Sequence, residues 1–190
     1  MKLSEEIQQS TFKSVHTEAV LNLHFTSNWL LRIVQGELNA FGISHEQYNI
    51  LRILRGNREG TYCLGDVQQR MLNRTANTTR LVEKLRKRGP VSRRPNPTNR
   101  RMVGVRITRA GLDLLEEMDG PIQEMDARMQ AALSGEDASR LTEILEGLRD
   151  RFEGAGAAES RQGRAVPMIS CTMVCIRRYV GVIPGTRMLK

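Results

Sequence analysis

Apolar residues recur three and four positions apart through most of the chain, the spacing that lines one face of an α-helix. Between residues 4 and 40 the stripe runs Phe12, Val15, Ala19, Leu23, Leu30, Ile33, Val34 and Leu38, which predicts one long or slightly broken helix stopped by Gly42 in "FGIS". A second helix starts in "SHEQYNILRIL". Ser44, with Gln47 three residues on, has the spacing of a capping box, and Tyr48, Leu51 and Leu54 share one face. Residues 56–62, "GNREGTY", read as a loop closing in a very short strand. "LGDVQQRML" is a short third helix with Leu64, Val67 and Met71 as its stripe. "TANTTRLVEKLRKRG" is a fourth, capped by Thr75 or Asn73, ended by Gly89 and apolar along Leu81, Val82 and Leu85. Asn77, Thr78, Arg80, Lys84 and Lys87 are left off that apolar side.

The period then shortens. "VSRR" and "MVGVRI", with alternation at Val103, Val105 and Ile107, predict two short strands joined by a Pro/Asn-rich turn. Thr108 caps a fifth helix, in which Leu115, Met118, Ile122, Met125 and Met129 form a heptad-like seam; Pro121, after Gly120, is expected to kink or split it. A sixth helix over 136–152 carries Leu141, Leu145, Leu148 and Phe152. These terminal stripes exceed the needs of so small a fold. A dimer interface built from the first, fifth and sixth helices is the simplest use for them, an intramolecular hairpin of the last two being the alternative. After Glu153, "GAGAAESRQGR" has the composition of a flexible linker, and the remaining residues show neither period, so 154–190 is expected to be a poorly ordered tail.

Charge divides the chain more sharply than pattern does. The formal net charge is +8, but residues 1–60 balance six basic against six acidic residues. Residues 70–110 hold thirteen Lys and Arg against the single acid Glu83, and residues 111–153 carry twelve acids against four arginines. A solvated helix face mixes signs, whereas one basic block between neutral and acidic blocks is the footprint of a polyanion-binding surface. No run of about 18 apolar residues exists to span a membrane. Met1–Glu6 passes into polar sequence without the apolar stretch of a signal peptide, so the expected location is the cytoplasm. Cys63, Cys171 and Cys175 are too few for a disulfide framework, and a lone C-x-x-x-C is a weak zinc signal, so no metal is expected. His16, His24 and His45 are scattered, with no HExxH, Walker loop or nucleophile elbow, so neither an enzyme nor a cofactor is expected.

A short helix, a turn, a second helix and a hairpin with a basic tip make a winged helix-turn-helix. The fold class is mainly α with a small β wing, flanked by N- and C-terminal dimerisation helices. The second helix of such a unit enters the major groove and touches base edges with its N-terminal residues, here Thr75, Asn77, Thr78 and Arg80. Arg forks onto guanine and Asn onto adenine, while Thr donates, accepts or packs on the thymine methyl. Thr79 and Lys84 are assigned to phosphates, as are Lys87 and Arg88 at the helix end; Arg93, on the facing strand, completes the set. A narrow A·T-rich minor groove concentrates negative potential, so Arg101 at the hairpin tip is assigned to the groove and Arg100 to phosphate. Readers of RNA and single strands stack bases on aromatic side chains. Residues 70–110 contain no Phe, Tyr or Trp, which favours duplex DNA. The chain divides into an N-terminal dimerisation helix (1–40), a DNA-binding lobe (41–110), C-terminal dimerisation helices (111–153) and the tail.

"ANTTRLVEKLRKRGPVSRRPNPTNRRMVGVRITRAG" resembles the signature region of the MarR (multiple antibiotic resistance regulator) family of transcription factors. The family pattern is Thr-Arg-Leu-Val-x-x-Leu, then Gly-hydrophobe-Val-x-Arg, Asp-x-Arg on the wing and Leu-Thr-x-x-Gly. Thr79-Arg80-Leu81-Val82, Leu85, Gly89, Val91, Arg93, Arg101, Ile107-Thr108 and Gly111 match it, and the likeness extends over residues 10–152. The resemblance implies a homodimer joined through its terminal helices on a pseudo-palindromic operator, usually a repressor released by a small phenolic or anionic effector or by an oxidant. His24 and Trp29 are candidate walls of a pocket for a small aromatic or anionic effector. Oxidant-sensing members carry a cysteine in the first helix, which is absent here; sensing through Cys63 and non-specific nucleic-acid binding are the alternatives. Asn99 stands where the family has its wing acid, so the ion pair expected to orient the wing arginine becomes a neutral contact. Pro90, in the hydrophobe's place, removes a strand donor and fills less of the core, loosening the start of the wing.

Overall fold

In the computed structural model, residues 1–58, 60–95 and 103–161 are described, with side chains for all of these except 94, 95, 103 and 155–161. The expectations for the hairpin tip, including Asn99, Arg100 and Arg101, and for the tail beyond Arg161 lie outside the described residues. The described residues form, in order, α1 (Leu3–Glu6), α2 (Val15–Asn39), α3 (His45–Arg55), β1 (Tyr62–Cys63), α4 (Leu64–Arg70), α5 (Thr78–Arg88), β2 (Val91–Pro95), β3 (Val103–Ile107), α6 (Arg109–Ala132) and α7 (Gly135–Arg161). Among the described residues they form two compact units, one of Ser27–Met129 and one of Met1–Thr26 with 130–161.

The first predicted helix is in fact two. Gln8 adopts a left-handed φ of 52°, which a helix does not allow. Helix resumes only where the Ser14 hydroxyl accepts the Thr17 N–H at 3.1 Å. Gly42, at φ 64°, ends the turn after α2. The capping box at α3 forms as its spacing predicts, with Ser44 Oγ accepting Gln47 N–H and Gln47 Oε1 accepting Ser44 N–H. Gln35 then fixes α2 to the start of α3, donating to the Ile43 carbonyl and accepting from His45 N–H, each at 3.0 Å. Pro121 lies inside α6 without splitting it, and α7 runs past the predicted end at 152 to Arg161.

The core of the Ser27–Met129 unit gathers Leu38, Ile50, Leu51, Leu54, Val67, Val82, Leu85, Val105, Leu115 and Met118, each at most 1% exposed. Burying a side chain of this size is worth about 1.5–3 kcal/mol, so α3, α4, α5, the sheet and the first half of α6 are fixed as one body. The sheet is antiparallel in the order β1-β3-β2. Its register sets Val91 opposite Ile107 and Arg93 opposite Val105. Arg55 of α3 bridges Asp119 of α6, with Nη1 3.0 Å from Oδ2.

Candidate nucleic-acid interface

Helix α4 and helix α5 are joined by the turn through "MLNRTAN", and the turn is held from below. The Asn49 side chain accepts the Leu72 N–H at 3.1 Å, and Asn73 Oδ1 accepts both the N–H and the hydroxyl of Thr75. The cap of α5 is Asn77, whose Oδ1 accepts Arg80 N–H at 3.0 Å. Neither Asn73 nor Thr75 fills that place, because Asn73 is occupied with its own turn.

The spacing of the buried residues decides which side chains face outward. Thr78, Val82 and Leu85 are buried. At about 100° per residue their arc leaves Asn77, Arg80, Lys84 and Lys87 on the other side of the helix. All four are exposed, as are Thr75 and Thr79. Thr78 is therefore corrected from base contact to core residue: it is 3% exposed and its hydroxyl donates to Met71 Sδ at 3.2 Å. Asn77 spends one acceptor lone pair on its own helix and keeps its amide donors. Thr75 has given its hydroxyl hydrogen to Asn73 and keeps its acceptors. No acid pairs with Arg80 or Lys84 among the described residues. Both line an open groove of about 410 Å³ with Ser44, Glu46, Asn77 and Leu81. Burial raises the Glu46 carboxyl, but the Ser44 hydroxyl, its own backbone N–H and neighbouring His45 together hold it below the ordinary value.

Two side chains expected to meet DNA, Arg93 and Arg88, are engaged by protein partners instead. Arg93, on β2, places Nη1 3.5 Å from Glu83 Oε2 of α5, and its Nε is buried with no partner among the described residues. Arg88 donates to the carbonyls of Phe41 and Gly42. It closes the exposed end of the α2–α3 turn, and its guanidinium is not free to point at DNA. Arg86 forks onto Glu83, with Nη2 to Oε1 at 2.8 Å and Nε to Oε2 at 3.0 Å. This pairing holds the Glu83 carboxyl at about 2, against an ordinary 4.5; slight burial opposes it, and Lys87 and Arg93 assist.

The sequence reading passed over the Glu83 clamp, although an isolated acid in a basic block was the available signal. It also passed over Arg74, exposed in the turn before α5. Cys63 caps α4, its Sγ accepting Asp66 N–H at 3.4 Å while Asp66 Oδ2 accepts Cys63 N–H. His24 is exposed and Trp29 half-buried. Being five residues apart, they lie about 140° apart around α2 and do not share a face. Among the described residues no helix is long and apolar enough to cross a membrane.

The same arrangement is found in known proteins. The MarR family model matches residues 43–103. An HTH-type transcriptional repressor of Pseudomonas putida, IacR, is 25% identical over 129 residues, covering 64% of this chain and 76% of that protein. The S. aureus MepR–DNA complex has a TM-score of 0.62 at 20% identity, over 68% of this chain and 94% of that one. A mutant E. coli MarR complexed with operator DNA has 0.59 at 20%, over 66% and 89%. At that identity these two show the fold alone, a winged helix. The MarR transcription factor of Planctomyces limnophilus is 32% identical, with a TM-score of 0.56 over 72% of this chain and 98% of its own. With the helix-turn-helix, the wing strands and the matched signature all in place, the chain belongs to the MarR family of DNA-binding transcription regulators.

Proposed function

We propose that the chain is a homodimeric, effector-responsive repressor that reads a pseudo-palindromic operator, with α5 in the major groove and the β2–β3 hairpin on the neighbouring minor groove. The observation that carries the reading is the outward face of α5. Asn77, Arg80, Lys84 and Lys87 project from a helix whose opposite side is locked in the core. Arg80 is the base-reading residue, with donors from Asn77 and acceptors from Thr75 beside it. Thr79, Lys84 and Lys87 hold phosphates and set the register. Arg100 and Arg101, between β2 and β3 in the sequence, are assigned to phosphate and to the minor groove. Replacing Arg80 by Ala should cost about 1–3 kcal/mol on a preferred duplex and relax its preference. Equal loss on preferred and random duplexes would assign Arg80 to phosphate instead.

Dimerisation draws support from α7, where Leu141, Ile144, Leu148 and Phe152 are 44–80% exposed. A solvated helix has no use for such a stripe, and a second copy covers it. The parse into dimerisation helices at 1–40 and 111–153 around a reading lobe at 41–110 follows from this, and a cytoplasmic location goes with a DNA target. The effector is a small aromatic or anionic molecule, with half-buried Trp29 as its wall residue and His24 on a different face. Sedimentation at micromolar concentration tests the assembly; a monomer would remove the dimer from the proposal.

A further inference from the structure

Glu83 is an acid on the outward half of a helix in a DNA-binding lobe, amid thirteen Lys and Arg. Simple attraction to a polyanion would remove it. We propose that Glu83 is a specificity-determining positioning residue: its carboxylate stands in for a DNA phosphate, withholding Arg86 and Arg93 from the DNA backbone and tying the first wing strand to the recognition helix. The inference rests on the reading that the outward face of α5 meets DNA.

The geometry separates this role from ordinary helix support. The Arg86–Glu83 fork, at 2.8 and 3.0 Å, is a pair three residues apart that any exposed helix can hold. Arg93 comes from β2, and its approach to the same carboxylate at 3.5 Å joins two elements that DNA must meet together. Side-chain exposures of 33% for Glu83, 45% for Arg86 and 26% for Arg93 make these surface pairs, which add little to stability. Their effect on a polyanion is larger. Non-specific binding is almost wholly phosphate contact, each cation on phosphate adding about 0.9 to the slope of log affinity against log salt. A carboxylate that occupies two guanidinium groups lowers binding to every sequence and leaves the base contacts of Arg80 and Asn77 to discriminate. The carboxyl, held at about 2, stays charged at neutral pH.

The experiment compares a duplex selected by the parent protein from a random pool with a scrambled duplex of the same composition, over a salt series. Glu83→Gln should tighten binding to the scrambled duplex by roughly tenfold, steepen the salt slope by about 1–2 per protomer and shrink the preference for the selected duplex. Adding Arg86→Gln and Arg93→Gln to that variant should return the slope to the parent's. A merely structural pair would weaken binding to both duplexes with no steeper slope, and that result overturns the proposal. Should Glu83→Gln unfold at the assay temperature, Arg86→Gln/Arg93→Gln with Glu83 intact decides. An unchanged slope supports withheld cations; a shallower one shows that they already bind phosphate. Arg80→Ala run alongside separates the failures. If it alters preference while Glu83→Gln leaves slope and preference untouched, only the Glu83 proposal falls; if it changes neither duplex, the reading of α5 falls too.

Discussion

Gly111, in the first turn of α6, is where the wing and the helix after it are packed most tightly, and Gly111→Ala should destabilise the fold. A Cβ built there would lie 2.3 Å from the Pro90 carbonyl oxygen and 2.8 Å from Ile107 Cγ1. The first neighbour is backbone and cannot swing away. That same carbonyl accepts the Thr108 N–H at 3.0 Å, while the Thr108 hydroxyl donates to Gly89 O at 2.7 Å and accepts Gly111 N–H at 3.1 Å. Helix propensity argues the other way, since Ala for Gly gains up to about 1 kcal/mol in a helix interior. Overpacking costs about 1–3 kcal/mol, and displacing the Pro90 carbonyl from Thr108 costs about 1 more. The clash wins, for a net loss of about 1–3 kcal/mol, read as a fall in melting temperature of about 3–10 °C at fixed protomer concentration. Gly36→Ala is the matched control. That glycine lies within α2 with nothing within 4 Å of an added Cβ, so it should gain about 0.5–1 kcal/mol. Gly111→Ala melting at or above the parent, with Gly36→Ala gaining as expected, would refute the close-packing argument.

Pro90 is buried and its carbonyl accepts Thr108 N–H, while the Thr108 carbonyl accepts Leu112 N–H in the first turn of α6. Pro90→Leu should add buried surface, raising stability by about 1 kcal/mol after the loss of proline's restriction of the unfolded chain; unchanged melting and DNA affinity would count against it. Cys63→Ser places a stronger capping oxygen over Asp66 N–H and should hold or raise the melting temperature. DNA binding by that variant in peroxide should match the parent's, and loss of a peroxide-induced release would instead make Cys63 the sensor.

Much of this architecture is written locally. The Ser44–Gln47 capping box, the helix stop at Gly42 and the alternation of Val103, Val105 and Ile107 each depend on residues a few positions apart, and each formed where expected. The Ile107-Thr108-x-x-Gly111 match had no mechanism in the sequence; the structure gives it one, since Thr108 and Gly111 fold against the backbone of Gly89 and Pro90. The start of α5 was misread because "NRTANTT" offers several residues able to cap. Asn73 accepts from Thr75, which leaves Asn77 to cap the helix. Thr78 lies four and seven residues before Val82 and Leu85, which puts it on their face wherever the helix begins.

The basic block shows why a charge footprint locates a binding lobe better than it names contacts. Attraction at a distance depends on net charge, so Arg88 counts in full even with its guanidinium on the Phe41 and Gly42 carbonyls. So does Arg70, which lies over the Tyr62 ring and donates to the Asp66 carbonyl, and so does Arg106, which donates to the Arg58 carbonyl. Contact at short range depends on which cations remain free to move onto a phosphate or a base. Arg88 reaches 46 residues back along the chain, and Arg93 finds its acid on another element; no local pattern announces either. At Glu83 the two measures fall together, because there a carboxylate cancels charge as well as holding side chains. The salt slope of binding reports contacts and the long-range association rate reports net charge. Arg88→Gln should therefore slow association by removing a charge and leave the slope unchanged, whereas Lys84→Gln should lower both.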